Sequence, residues 1–203
     1  MDRQPNLDGT TDFALARYNS NGTLDSAFGT GGKVKTTFAD FDYVGALALQ
    51  SDGKIVAAGM TVVNFSPNFA VARYNSNGTL DTTFGSGGKA MTDFGADDRA
   101  YSVALQADGK IVAAGMIGTN FALARHNTNG TLDATFGSGG KEITDFAGSN
   151  DIALGVAVRS DGKIFVAGRT FVSARTTFAV ARYNSTVTLD PVFGSGGKTT
   201  TAS

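Results

Sequence analysis

Apolar and polar residues alternate along this chain in short runs separated by glycine-rich breaks, and residues 100–146 carry one full set of them. Ala100–Gln106 places Tyr101, Val103 and Leu105 on one side, a period of two that predicts a strand. Ala107-Asp108-Gly109-Lys110 interrupts it. Asp-Gly between two apolar runs predicts a tight hairpin, here of type I′, because glycine adopts positive φ cheaply. Lys110–Met116 is the return strand. Asn120–Asn127 is a third, with Phe121, Leu123 and Arg125 on one face and Ala122, Ala124 and His126 on the other. The two alanines leave room for a neighbouring sheet to come close. Thr128-Asn129-Gly130 reads as a turn, and Gly139-Gly140 opens a last, more polar strand over Lys141–Phe146. No stretch sustains a 3.6-residue apolar period, so no helix is expected.

The set recurs. FALARYNSNGTLDSAFGTGGK at Phe13–Lys33 returns at Phe69–Lys89, at Phe121–Lys141 and more loosely at Phe178–Lys198, at offsets of 56, 52 and 57 residues. The Asp-Gly turn recurs at Gly53, Gly109 and Gly162, each time followed by Lys-Ile. A repeat of this length marks an array of one supersecondary unit whose apolar faces are covered by its neighbours. Four short antiparallel strands per unit predict an all-β fold of β-propeller blades. The small apolar runs GALALQ, SVALQ and LGVAV suit the innermost strand. KVKTTF, KAMTDF and KEITDF suit the outer edge, where lysine and threonine protect an exposed strand.

The predicted organisation is an N-terminal extension over 1–12 and one array over 13–203. The array comprises a half blade at 13–38 and blades at about 44–94, 101–146 and 152–201, or three and a half blades in fourteen strands. Propellers close with about four to eight blades. Either further sequence completes the ring or copies of the chain associate end blade to end blade; closed self-association, with a dimer favoured, is the expectation.

Leu80-Asp81, Phe84-Gly85 and Gly87-Gly88-Lys89, then a strand, then Asp108-Gly109-Lys110-Ile111 and Ala114-Gly115 form a recognisable order. It resembles the delta-60 repeat, a bacterial propeller-type repeat, over nearly all of the chain beyond residue 12. It is more loosely similar to NHL and YVTN-type blades, which also place an Asp-Gly turn between the two inner strands. It is unlike WD40 repeats, since the chain has no tryptophan. The resemblance implies a propeller within a large surface or secreted protein, so an extracellular or cell-surface location, and it implies no defined catalytic residues.

Composition narrows the function. The 17 basic and 18 acidic residues balance to −1, without the basic surface of a nucleic-acid binder or a Lys/Arg run for a membrane surface. No segment approaches the roughly 20 apolar residues of a membrane span, and MDRQPNLDGTTD lacks an apolar export core. Cysteine is absent, which excludes disulfides, thiolate metal sites and a cysteine nucleophile. One histidine, His126, leaves no zinc site of the usual type and confines any Ser-His-Asp triad to one place. Neither cofactor nor metal is expected.

His126 stands where the other units have Tyr18, Tyr74 and Tyr183, and is read as a packing residue. Arg17, Arg73, Arg125 and Arg182 recur at the end of the third strand, with Asp25, Asp81, Asp133 and Asp190 eight residues later. A ring of arginines for an anionic ligand is one reading. A repeated Arg–Asp pair tying a long turn to its strand is preferred, because a ligand site usually breaks a repeat's symmetry. Asp40, Asp42, Asp97, Asp98 and Asp151 lie between units and lack calcium-loop spacing, so they are read as solvated loop charges. The runs Gly85–Lys89, Gly137–Lys141 and Gly194–Lys198 lead into strands, which rejects a phosphate cradle. The Asn-Gly-Thr sequons at Asn21, Asn77 and Asn129 read as turns.

The expected function is a non-catalytic, self-associating propeller scaffold. The alternative is a propeller binding a glycan or peptide through aromatic loop residues such as Phe65 and Tyr43. An enzyme is not expected: besides His126, Glu142 is the only glutamate, and it sits on a predicted outer strand.

Overall fold

The computed structural model describes residues 10–146, 150–172 and 175–202. Most of the expected N-terminal extension, residues 1–9, lies outside them. Among the described residues there are fourteen strands and no helix. The first pair, β1 (Phe13–Ala16) and β2 (Lys33–Thr36), forms a two-stranded antiparallel sheet. Three four-stranded sheets follow in meander order. The first comprises β3 (Phe41–Leu49), β4 (Ile55–Val63), β5 (Ser66–Tyr74) and β6 (Lys89–Thr92). The second comprises β7 (Asp98–Leu105), β8 (Ile111–Ile117), β9 (Asn120–His126) and β10 (Lys141–Thr144). The third comprises β11 (Ile152–Val158), β12 (Ile164–Val172), β13 (Arg175–Tyr183) and β14 (Lys198–Ala202). These are three full propeller blades and the outer half of a fourth.

β3, β7 and β11 neighbour one another from blade to blade, as innermost strands do. Each is bulged at the same point, between Val44 and Ala46, Ala100 and Ser102, and Ala153 and Gly155. A bulge adds local twist, which turns the inner strand relative to the rest of its blade.

The core lies between blades. Phe69 and Val71 on β5 point forward into one apolar cluster with Ala122, Ala124 and Ile111 of the next blade. Ala70, Ala72 and Tyr74, one residue out of phase, point back into another with Phe13, Leu15 and Phe28. This third strand thus presents Phe69 and Val71 forward and two alanines followed by a tyrosine backward. Phe13, Phe69 and Phe121 are further packed by Phe38, Phe94 and Phe146, with ring centroids 5.0, 5.0 and 4.8 Å apart.

The Asp-Gly hairpins depart from the expected type I′ turn. The Gly53 amide donates to the Gln50 carbonyl and the Gln50 amide to the Lys54 carbonyl, leaving a three-residue loop in which Gly53 alone has positive φ (+82°). This is a type I turn closed by a glycine bulge, and it recurs at Gly109 and Gly162. Both turn types need glycine at the same point, so the dipeptide does not separate them. The two-residue turn with both φ positive occurs instead at Asn64-Phe65.

Candidate functional site

The polar side chains of this fold gather along the seams between blades. Within each full blade the recurrent arginine and aspartate meet. Arg73 Nε lies 2.8 Å from Asp81 Oδ2, Arg125 Nη2 lies 2.9 Å from Asp133 Oδ2, and Arg182 Nε lies 2.9 Å from Asp190 Oδ2. In the half blade the Arg17–Asp25 pair is 2.8 Å long. Each guanidinium also stacks on the phenylalanine that follows its aspartate, 4.7, 4.8, 4.5 and 4.7 Å from the rings of Phe28, Phe84, Phe136 and Phe193.

The lysine after each Asp-Gly turn joins the same cluster. Lys54, Lys110 and Lys163 place Nζ 3.6, 3.2 and 2.7 Å from Asp81, Asp133 and Asp190. Sequence reasoning missed this role, although the recurrence of Lys after every Asp-Gly turn was the available signal. In the middle blades the aspartate also accepts from the hydroxyl and amide of Thr83 or Thr135. Burial works to raise the Asp81 carboxyl, but the Thr83 hydrogen bonds and the Arg73 charge outweigh it and hold it at about 2. Asp133 is held lower still, with Lys110 adding to Thr135 and Arg125 against the same burial. Arg73 and Arg125 are almost wholly buried and engaged with their aspartates and the next blade, so these two are not open to an anion.

Four kinds of contact recur across the seams, the second of them at the first two seams. First, Arg17, Arg73 and Arg125 donate from Nη1 to the carbonyls of Ser76, Thr128 and Ser185 in the following blade. Second, the Gly29 and Gly85 amides donate to the Asn77 and Asn129 carbonyls, both at 2.8 Å. Third, Lys89, Lys141 and Lys198 donate back to the carbonyls of Thr37, Asp93 and Asp145. Fourth, the buried aromatic of each third strand meets a threonine of the preceding outer strand. Tyr74 lies 2.9 Å from Thr36, Tyr183 lies 2.6 Å from Thr144, and His126 Nε2 lies 3.4 Å from Thr92 Oγ1. His126 Nδ1 faces the Gly130 carbonyl at 3.2 Å, so the imidazole stands in for the phenol, and burial holds its pKa below the usual value.

The aspartates between blades are not all solvated loop charges. Asp42, Asp98 and Asp151 are buried, and their Oδ2 atoms accept the amides of Phe38, Phe94 and Phe146, each at 2.6 Å. They clamp the end of an outer strand to the start of the next inner strand, seating the phenylalanine that packs on the third strand. Asp40 stays exposed, and Asp97 pairs with Arg99 at 2.7 Å. Among the described residues no group of histidine, cysteine or acidic side chains has metal-site geometry. The sequon asparagines Asn21, Asn77 and Asn129 turn their side-chain oxygens onto the Thr23, Thr79 and Thr131 amides and hydroxyls, as turn residues do. Phe65 is fully exposed at its hairpin tip with φ +66°, whereas Tyr43 lies in β3 and is partly buried, not in a variable loop. Glu142 lies on the outer strand β10.

Two faces carry seam residues without a seam. On the half blade Tyr18 is 62% exposed, against 0%, 1% and 0% for Tyr74, His126 and Tyr183; Ala14 and Ala16 beside it are exposed as well. On the last blade Phe178 is 55% exposed, while Phe13, Phe69 and Phe121 are at 0%. Thr201 is exposed there, whereas Thr36, Thr92 and Thr144 are buried.

The family described as a β-propeller domain of unknown function, DUF5122, matches residues 4–28, 50–84, 106–136 and 159–193, more than half of the chain. Each match runs through the turn and Leu-Asp segments that build one seam. No curated protein matches the chain. By the extent of those matches and the blades they fall on, this chain belongs to the DUF5122 β-propeller family.

Proposed function

We propose that this chain is a non-catalytic scaffold, a propeller module of the delta-60 type that associates with further copies of itself through its open blade faces. One observation carries the reading: Phe178 and Tyr18 occupy positions that are buried in every other unit, yet are 55% and 62% exposed. Burying a phenylalanine is worth about 1.5–3 kcal/mol, so two such faces favour a partner. The polar groups that could serve catalysis are engaged instead in holding blades together. Arg73, Arg125, Asp81 and Asp133 are paired within seams, and His126 is buried as a neutral packing group.

The test is the mass in solution. Sedimentation velocity over a dilution series should show a reversible oligomer, with the dimer as the smallest closed form. A monomer at every concentration would contradict the reading.

A further inference from the structure

We infer that the open face of the last blade is covered by the half blade of a second copy, head to tail, in the register of the internal seams. This rests on the self-association proposed above and fixes its polarity and contacts.

The two exposed faces are the two halves of one interface. An internal seam pairs a forward face, such as Phe69 and Val71 with Phe84 behind them, against a backward face of the form Ala-x-Ala-x-Tyr, such as Ala122, Ala124 and His126. The last blade leaves a forward face open, with Phe178, Val180 and Phe193. The half blade leaves a backward face open, with Ala14, Ala16 and Tyr18. Two forward faces would set phenylalanines against phenylalanines and strand the polar partners of both. Forward on backward reproduces a packing that the fold already uses at each internal seam.

The polar contacts carry over position by position. Tyr18 matches Tyr74 and Tyr183, and Thr201 matches Thr36 and Thr144, so the Tyr18 hydroxyl meets Thr201 of the second copy. Arg182 matches Arg73 and Arg125, so its guanidinium donates to the Ser20 carbonyl. The side chain of Arg182 is 17% exposed, against 6% for the other two, as befits a donor without its cross-seam acceptor. The Gly194 amide matches those of Gly29 and Gly85 and takes the Asn21 carbonyl. Lys33 matches Lys89 and Lys141 and takes the Ala202 carbonyl. Because the half blade holds only the two outer strand positions, Leu154 on β11 lies beyond this contact. The interface is therefore smaller than an internal seam, and the association is reversible. A contact between two different faces closes into a ring or extends as a filament.

Two surface variants test the polarity, since Tyr18 and Phe178 are exposed and their replacement leaves the fold intact, as circular dichroism will verify. Tyr18→Lys removes one face and Phe178→Lys the other. Each alone should sediment as a monomer, and an equimolar mixture should yield a dimer and nothing larger, joined through the one intact pair of faces. A Tyr18→Lys variant that still dimerises alone would overturn the head-to-tail contact while leaving self-association standing. A wild-type chain that never associates would overturn both. The register is read separately, because the chain has no cysteine. Tyr18→Cys mixed with Thr201→Cys should be joined by a short bifunctional maleimide into a heterodimer. Absence of that product in an associating mixture would overturn the register.

Discussion

Asp98 stands opposite Ile117 across the first two strands of its blade, where Asp42 stands opposite Thr61 and Asp151 receives the hydroxyl of Thr170. The isoleucine leaves Asp98 Oδ1 buried without a hydrogen-bond partner. Burial, with Asp93 and Asp97 adding to it, outweighs the Phe94 amide and pushes the carboxyl up to about 6.

That shift gives the middle blade a pH dependence of known sign. A raised carboxyl pKa means the folded chain holds a proton that the unfolded chain has lost. The stabilisation is complete below 3.8, the ordinary value, and disappears as pH rises through about 6. Thermal melts between about pH 4 and pH 7 should show wild type losing stability relative to Asp98→Asn as pH rises. Ile117→Thr, which supplies the hydroxyl present in the sister blades, should stabilise the chain at neutral pH by about 1 kcal/mol. Parallel pH profiles for all three proteins would contradict the assignment.

His126 acts in the opposite sense. Its pKa is held down by burial, so the unfolded chain takes the proton first, and stability is full above 6.5 and lost as pH falls below it. His126→Tyr restores the phenol of Tyr74 and Tyr183 against Thr92. The melting-temperature gap between this variant and wild type should widen as the solution is acidified below about pH 6.5. A constant gap would mean that the imidazole is not buried neutral.

The strands, the repeat and the pairing of Arg73 with Asp81 were legible in the sequence because each depends on local periodicity or recurs at a fixed short spacing. The buried aspartates were not. Asp98 follows Gly95-Ala96-Asp97, a composition indistinguishable from a solvated loop, and its burial comes from the fold of the crossover around it. The seam contacts were equally hidden. Tyr74 and Thr36 are 38 residues apart, and Arg73 and Thr128 are 55 apart, so nothing local couples them. Only their common recurrence records that they meet.

The arginine cluster should be graded by burial. Arg125→Lys keeps a positive charge near Asp133 but loses the planar fork that also donates to the Ser185 carbonyl and stacks on Phe136. A cost of about 2–4 kcal/mol is expected in denaturant unfolding. Arg17 and Asp25 are partly exposed, so Arg17→Lys should cost about 1 kcal/mol or less. Equal costs at the two sites would show that burial does not set the strength of the cluster.

Glycine at the third-strand turn separates conformational cost from steric cost. Gly22 and Gly130 have nearly the same φ, +84° and +85°. A Cβ at Gly22 meets open space, but one at Gly130 would lie 2.4 Å from the Gly85 amide nitrogen of the preceding blade. That amide donates across the seam to Asn129, so the two blades must separate to admit a methyl group. Gly22→Ala should therefore cost about 1 kcal/mol, the price of a left-handed alanine alone. Gly130→Ala should cost about 3 kcal/mol or more, since it opens a packed interface. The fourth unit shows a local accommodation: Val187 takes this position at φ +71° and is buried, so strain is set against apolar burial. In the head-to-tail assembly Gly22 becomes the glycine of a seam. Gly22→Ala should then weaken association in sedimentation at a concentration where the folded monomer is otherwise undisturbed, and undiminished association would place that turn outside the contact.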